Sequence, residues 1–255
     1  MIFFRLVLAF AFITALGGCQ TSAENKKVEQ DNSKRASLHY RLGIDALHKG
    51  YLPKAFEELM ISDQISPNQP ETLDAIAYAW RVRGNQNEAK KYYELAMDAD
   101  AGSATQNNYG SLLIEMGEFE KAEQHLRTAL EDPRYRNQAL AFTNLGDALA
   151  GLEKYEEAIK SYRKAQMLSP NWSYPKLREG QAYVKFGRPH FAQALFETIL
   201  RSEPANQPAL RDLIQLLKGK GEGDLLRKHL QAFIENTPDD LQKAWAKDEI
   251  DHLKK

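Results

Sequence analysis

One period of about 34 residues repeats from residue 36 to residue 238, and it constrains the fold more than any other feature of this sequence. Each unit opens on a small residue at a core position, and the spacings between successive openings are 34, 33, 36, 34 and 34 residues. A second small residue follows twelve residues later, and most units close on a proline. The opening positions are Gly43, Ala77, Gly110, Gly146, Gly180 and, in a less regular sixth unit, Ile214.

The small positions of each unit predict a pair of antiparallel helices. Two helices pack closely only where the facing side chains are small, so Gly or Ala marks their contact. The prolines that close the units stop one helix before the next begins. The second small position holds Ala55, Ala89, Ala122, Ala158, Ala192 and, in the sixth unit, Leu226. Large apolar residues share the position four residues further on: Leu59, Tyr93, Leu126, Tyr162, Phe196 and Leu230.

This pattern resembles the tetratricopeptide repeat, and the resemblance covers residues 36–238. It implies an all-α fold, a right-handed α-solenoid of about six helix pairs in which each pair buries one face on its neighbours. Large side chains stand at the small positions of the sixth unit, Ile214 and Leu226. We therefore expect the sixth pair to pack differently from the other five.

The segment after the last unit, residues 239–255, is predicted to form a capping helix. Asp239 follows the closing proline and is placed to accept hydrogen bonds from the first backbone N–H groups of a helix over residues 240–253. The side chains expected to cover the open end of the stack are Leu241, Ala244 and Trp245.

The first nineteen residues predict a lipoprotein signal. Arg5 precedes an apolar run over residues 6–16, which is short for a bilayer span and fits the core of a secretory signal. The run ends in Leu-Gly-Gly-Cys, which resembles a lipobox, so residues 1–18 are the predicted signal peptide and Cys19 is the predicted lipidation site. Residues 19–35 are polar and lack aromatics, which predicts a flexible lipidated tether.

The residue after the cysteine bears on the membrane. Gln20 stands where an aspartate tends to hold enterobacterial lipoproteins in the inner membrane, so the resemblance favours the outer membrane. We expect the chain to be lipid-anchored there, with its folded part on the periplasmic face.

The first helix of each pair is expected to line a concave groove that binds a protein partner. The residues projected into it mix aromatic, amide and charged side chains, as recognition of a peptide or protein requires. A solvated face is the alternative for each of them taken singly. The predicted binding residues are Tyr40, Asp74, Tyr78, Arg81, Asn107, Ser111, Ile114, Thr143, Asp147 and Gln181.

Some tetratricopeptide proteins clamp a terminal carboxylate with paired Lys and Asn on adjacent first helices. Asn107 and Asn108 are present, but Thr143 and Asp147 follow where basic residues would be needed. Binding of a chaperone tail is therefore not expected.

The sequence lacks the motifs of catalysis. The six histidines form no HExxH, and there is no GxSxG, P-loop or GxGxxG. The net charge of −1 shows no basic excess for nucleic acid. We expect a protein that is not an enzyme, with no cofactor, no metal site, no nucleic-acid partner and no small-molecule substrate.

One stretch narrows the resemblance. The third unit begins with Asn-Asn-Tyr-Gly at residues 107–110, and Asp-Pro-Arg-Tyr at 132–135 leads into Ala-Phe-Thr-Asn-Leu-Gly at 141–146. This run is similar to that of the type IV pilus biogenesis and stability lipoproteins, which are outer-membrane pilotins. The resemblance implies that the groove binds a secretin subunit and aids its localisation and multimerisation. A lipoprotein scaffold for peptidoglycan synthases or hydrolases is the alternative, and an adaptor of other purpose is a third.

Overall fold

The structure, a computed structural model, describes the backbone of residues 3–253 and the side chains of residues 25–253. Every regular element in that part of the chain is an α-helix, which confirms the predicted all-α class. The helices are α1 (Phe3–His48), α2 (Leu52–Ile65), α3 (Pro70–Val82), α4 (Gln86–Asp98), α5 (Ser103–Glu115), α6 (Phe119–Glu131), α7 (Gln138–Gly151), α8 (Tyr155–Leu168), α9 (Tyr174–Lys185), α10 (Pro189–Ser202), α11 (Gln207–Leu217), α12 (Gly223–Asn236) and α13 (Asp240–His252).

The helices divide into two compact units, Met1–Ala101 and Gly102–Lys255. In the first unit α1 pairs with α2, α3 pairs with α4, and α2 packs on α3. In the second unit the pairs are α5–α6, α7–α8, α9–α10 and α11–α12, and α13 packs on α12. Second helices of one pair contact first helices of the next, as α6 contacts α7 and α8 contacts α9. Within each unit the helices therefore pack in adjacent pairs, as the repeat pattern predicts.

Close contact between the helices of a pair explains the small opening residue. A Cβ atom added to Gly110 would lie 2.7 Å from Cγ of Leu126, and one added to Gly43 would lie 2.6 Å from Cγ of Leu59. Gly146 and Gly180 meet the rings of Tyr162 and Phe196 in the same way. The residue opposed to each glycine is sixteen positions later, so the shared large apolar position of the second helix fills the space that the glycine leaves.

The last helix begins as predicted but covers its neighbour with different residues. The Asp239 carboxylate accepts hydrogen bonds from the backbone N–H groups of Leu241 and Gln242, at 2.8 and 3.1 Å. Leu241, however, is 83% exposed and Ala244 is exposed, whereas Ala246 is fully buried.

The helical period explains this correction. Residues 242, 245, 246 and 249 follow one face of α13, and this face excludes positions 241 and 244. Trp245, the third predicted covering residue, does pack edge-on against Phe233, with 5.6 Å between ring centroids. The predicted cover of the stack by Leu241 and Ala244 is therefore replaced by one from Trp245 and Ala246.

The described part of the predicted tether is helical, which differs from the sequence-based expectation. Residues 25–35 continue α1 and are almost entirely exposed. Lys occurs three times in this segment, Glu, Gln and Arg occur once each, and there is no Gly or Pro, so local propensity favours a helix without a core to pack on. The first buried side chain among the described residues is Ala36, where the repeats are predicted to begin.

The predicted signal peptide and the lipidation of Cys19 lie outside the described side chains and stay predictions. Across the described residues, no helix combines the length and apolar character that crossing a membrane requires.

Candidate protein-binding site

A cavity of about 960 Å³ opens in the second unit. First helices contribute most of its lining, with residues from α7, α9 and α11 side by side, and α5 and several second helices complete it. The first helices, which the sequence assigns to a groove, therefore do line a space within this unit.

A continuous chain of hydrogen bonds runs along the polar side of the cavity. Nε of Arg178 and the hydroxyl of Tyr162 both donate to Oδ1 of Asp147, each at 2.7 Å. Arg178 also donates from Nη1 to Oε1 of Gln181 at 2.8 Å. Nε2 of Gln181 in turn donates to Oδ2 of Asp212 at 2.7 Å. Tyr162 lies on the second helix α8, and the other four residues come from three successive first helices, so the chain fixes their side chains relative to one another.

The charges in this chain are held by their neighbours. Burial opposes the charged form of Arg178, but the adjacent Asp147 carboxylate outweighs it and raises the pKa of the guanidinium above its usual range. Burial raises the pKa of the Tyr162 hydroxyl, and the negative charge of Asp147 raises it further. Burial also raises the pKa of Asp212, against the hydrogen bond from Gln181. A charged, largely shielded guanidinium thus stands at the centre of the site.

Apolar side chains form the other side of the cavity. Ile114 of α5, Phe119 of α6 and Val184 of α9 line it, and Val184 is 41% exposed. The Phe119 ring lies so close to Gly151 that an added Cβ atom would come within 2.5 Å of it. A mainly apolar wall beside a few fixed polar groups is the usual composition of a binding site.

The structure places the predicted binding residues of the second unit in three situations. Asp147, Gln181 and Ile114 line the cavity. Ser111 is half-buried and does not line it. Thr143 is fully buried and donates to the carbonyl oxygen of Ala139 at 2.8 Å.

Asn107 is also buried, and its side-chain oxygen accepts a hydrogen bond from Nδ2 of Asn144 at 2.9 Å. Burial removes Thr143 and Asn107 from the surface that a partner could contact. The reason is helical register, because the position three residues before the opening small residue turns inward in this unit. The position two residues before it faces the cavity instead, as Arg178 and Asp212 do.

The four predicted binding residues of the first unit lie on α1 and α3. Tyr40, Asp74 and Arg81 are half-buried, and Tyr78 is 44% exposed. Burial raises the pKa of Tyr40, and the charge of Asp74 adds to that effect, so these two side chains lie near each other. They form a polar surface on the first helices of this unit.

Arg178, Tyr162 and Asp212 line the cavity but were not among the predicted site residues. One signal was available, because Asp147 and Arg178 are 31 residues apart, which is three residues short of a repeat. Gln181 and Asp212 have the same separation. A residue and its partner 31 positions later therefore lie on neighbouring first helices, one helical turn out of register.

The family comparison agrees with this architecture. Residues 103–166 match the family model of the tetratricopeptide repeat. Together with the helix pairs described above, this match shows tetratricopeptide repeats in this part of the chain.

Two solved structures of pilus proteins are similar to this chain. PilF of Pseudomonas aeruginosa superposes with a TM-score of 0.70 and 22% identity, over 86% of this chain and 99% of that one. PilW, described as a widely conserved type IV pilus biogenesis factor, superposes with a TM-score of 0.74 and 15% identity, over 82% of this chain and 96% of that one. At these identities the likeness shows the fold alone.

Curated proteins match over shorter segments. Protein STIP1 homolog of Dictyostelium discoideum is 32% identical over 113 residues, which are 44% of this chain and 20% of that protein. An uncharacterized protein of Haemophilus influenzae is 28% identical over 94 residues, which are 35% of this chain and 52% of that protein. The chain therefore spans between a fifth and about half of the length of these relatives.

Proposed function

We propose that this chain is a lipid-anchored outer-membrane protein that binds a secretin subunit and aids its localisation and multimerisation in type IV pilus biogenesis. The observation that carries the binding site is the hydrogen-bonded chain from Asp147 through Arg178 to Asp212 beside an apolar wall. The similarity in fold to PilF and PilW supports the choice of pathway. The lipobox at Cys19 supports the anchor.

The cavity suits a partner segment with both apolar and hydrogen-bonding groups. An apolar side chain of the partner would fill the space beside Ile114, Phe119 and Val184. The guanidinium of Arg178 has five N–H donors, and its bonds to Asp147 and Gln181 engage two of them. The remaining donors would bind carbonyl oxygens of the partner's backbone. Because the polar chain is held in place before binding, little side-chain entropy is lost when the partner docks.

Crosslinking in native membranes tests the proposal. The tagged full-length chain is crosslinked in cells, purified, and its bound proteins are identified by mass spectrometry. We expect a secretin as the dominant partner. Val184→Asp places a charge on the apolar wall and should reduce recovery of the secretin about tenfold or more, as loss of a buried interface contact does.

A matched variant controls for the added charge. Val82 ends α3 in the first unit and is 50% exposed, and Val82→Asp should leave recovery unchanged. Equal recovery from both variants would exclude the cavity as the binding site. Recovery of cell-wall synthases or hydrolases without a secretin would exclude the secretin role and favour the scaffold.

A further inference from the structure

Two positions of the first helix are buried between repeats. They lie five residues and one residue before the opening small residue, and in α3 they hold Thr72 and Ile76, both buried. Oγ of Ser62 lies 3.4 Å from Oγ1 of Thr72, and Ile76 packs with Leu59 in one core cluster. Ser62 and Leu59 belong to α2, so the second helix of the preceding pair covers both positions. The same positions are buried in α7, α9 and α11: Ala141 and Leu145, Pro175 and Glu179, Ala209 and Leu213.

The equivalent positions of the first repeat are uncovered. They hold Leu38 and Leu42 of α1, which are 48% and 43% exposed in the described part of the chain. Leu42 stands at the position where α3, α7 and α11 bury an Ile or Leu side chain. Leu38 stands where the same helices bury the smaller side chains of Thr or Ala. One face of α1 therefore carries two leucines at positions of a helix–helix contact without a covering helix.

Charged residues extend this face in both directions. Asp31, Arg35, Leu38, Leu42, Asp45 and Lys49 follow one another at spacings of four, three, four, three and four residues, and all six are exposed. This alternation of three and four keeps successive residues on one side of a helix. We call this set the α1 stripe.

The α1 stripe is complementary to itself when its direction is reversed. Read forwards it is acidic, basic, Leu, Leu, acidic, basic, and read backwards it is basic, acidic, Leu, Leu, basic, acidic. Two antiparallel copies therefore place each charge opposite the other sign. A random arrangement of four charges would place like charges together at least once in most cases, and that juxtaposition is unfavourable.

We propose that the α1 stripe is the interface with a second copy of this chain, packed antiparallel about a twofold axis near residue 40. Leu38 then packs on the partner's Leu42, and Arg35 pairs with the partner's Asp45. Asp31 pairs with the partner's Lys49 in the same register. Twofold symmetry makes every contact occur twice, so four leucines and four ion pairs form the interface.

The single chain loses little stability when it forms this contact. Nζ of Lys49 lies 2.7 Å from Oδ2 of Asp45 within one chain, and both side chains are 58% exposed. An exposed pair of this kind contributes little to stability, so its exchange for pairs across the interface is easy. The stripe spans about 27 Å at 1.5 Å per residue, which predicts a small interface and a weak, concentration-dependent dimer.

A charge swap tests both the dimer and its orientation. Sedimentation of the full-length chain in mild detergent over a range of concentrations measures the dimer dissociation constant. Arg35→Asp places an acidic residue opposite the partner's Asp45, and the twofold axis repeats this contact. The variant should raise the dissociation constant about tenfold or more. Asp45→Arg should do the same. The double variant R35D with D45R restores opposite charges at both places and should return the constant to within about threefold of the wild-type value.

One further variant and one further measurement keep the result interpretable. Arg136 is exposed on the second unit, and Arg136→Asp should leave the dissociation constant unchanged. Circular dichroism of each variant should show unchanged helix content, because all the altered residues are exposed. A chain that stays monomeric at every concentration would overturn the proposal. Single and double variants of equal affinity would also overturn it, because the antiparallel register requires the rescue.

Discussion

Two arginine–carboxylate pairs join α9 to its neighbours, one on the cavity side and one on the stacking side. On the cavity side, Nε of Arg178 lies 2.7 Å from Oδ1 of Asp147. On the stacking side, Nε of Arg163 in α8 lies 2.7 Å from Oε1 of Glu179 in α9. The two pairs are alike in geometry, but the Glu179 side chain is 3% exposed and its arginine is 59% exposed, against 12% and 32% for the cavity pair.

The position in the repeat decides whether an arginine–carboxylate pair stabilises helix packing or is accessible to a partner. Glu179 stands at a position that is apolar and buried in other repeats, as Ile76 and Leu213 show. It fills a gap between helices, and its arginine reaches it from the surface. Arg178 and Asp147 line an open cavity, where a partner can contact them. We therefore expect the stacking pair to contribute to stability alone, and the cavity pair to contribute to both stability and binding.

The largest expected effect comes from overfilling the close contact between the two helices of one pair. Gly180→Leu would force a side chain into the Phe196 ring and should lower the free energy of unfolding by about 3 kcal/mol. Urea unfolding followed by circular dichroism measures the change. Gly223→Leu is the control, since a Cβ atom there meets nothing within 4 Å, and it should be neutral or slightly stabilising. Equal losses from both variants would contradict the close-contact account.

Replacing the buried carboxylate tests whether the stacking pair is structural. Glu179→Ala removes the acceptor of bonds from Arg163 and Gln166, and should lower the free energy of unfolding by about 2 kcal/mol. Glu179→Leu supplies the apolar side chain that other repeats carry at this position, and should change it by less than about 0.5 kcal/mol. Both values come from the same unfolding experiment. A leucine variant as unstable as the alanine variant would show that the ion pair itself is required.

Matched arginine variants test directly whether only the cavity pair takes part in binding. Arg178→Met should lower the free energy of unfolding by only about 1 kcal/mol but weaken partner recovery about tenfold. Arg163→Met should reduce stability by a similar amount and leave recovery within about twofold. Crosslinked recovery and urea unfolding are measured on the same preparations. Parallel loss of binding in both variants would mean that recovery follows stability and not contact.

The smallest expected effect is a pH dependence away from the cavity. His125 of α6 is half-buried, its Nδ1 is 2.7 Å from Oε1 of Gln106, and burial lowers its pKa. Because the unfolded chain then binds the proton more tightly, stability is full above the ordinary histidine pKa of about 6.5 and falls as the pH drops below it. His125→Gln should flatten this part of the curve of unfolding midpoint against pH. The exposed His190 provides the control, and a curve unchanged by His125→Gln would contradict the assignment.

The sequence predicts the helix pairs well because each close contact restricts the residue type at two positions. Gly180 and Phe196 are sixteen residues apart, and the same separation links Gly110 to Leu126. A close contact restricts both partners, one to a small side chain and the other to a large one. The repeat then presents that restriction several times over, so boundaries and pairing both follow from the sequence.

The site was predicted only in part because it depends on helical register. Asp147 and Gln181 line the cavity, yet Thr143 lies on the same helix as Asp147 and is fully buried. A shift of one residue turns a side chain by about 100°, and the repeat pattern does not fix the face to that accuracy. Arg178 was not predicted for the same reason, since its position lies one residue after the position that Thr143 occupies in its own repeat. The self-complementary charges of α1 depend on which face is exposed, and that also required the structure.

Site-specific photocrosslinking tests directly whether a secretin binds in the cavity, because it reports contact and not stability. A photoreactive phenylalanine derivative is placed at position 184 in the cavity or at position 60 on α2, where Met60 is 47% exposed in the first unit. If the secretin binds in the cavity, we expect irradiation of cells to yield a covalent adduct with it from position 184 and none from position 60. Adducts of equal yield from both positions, or none from position 184, would contradict binding in the cavity.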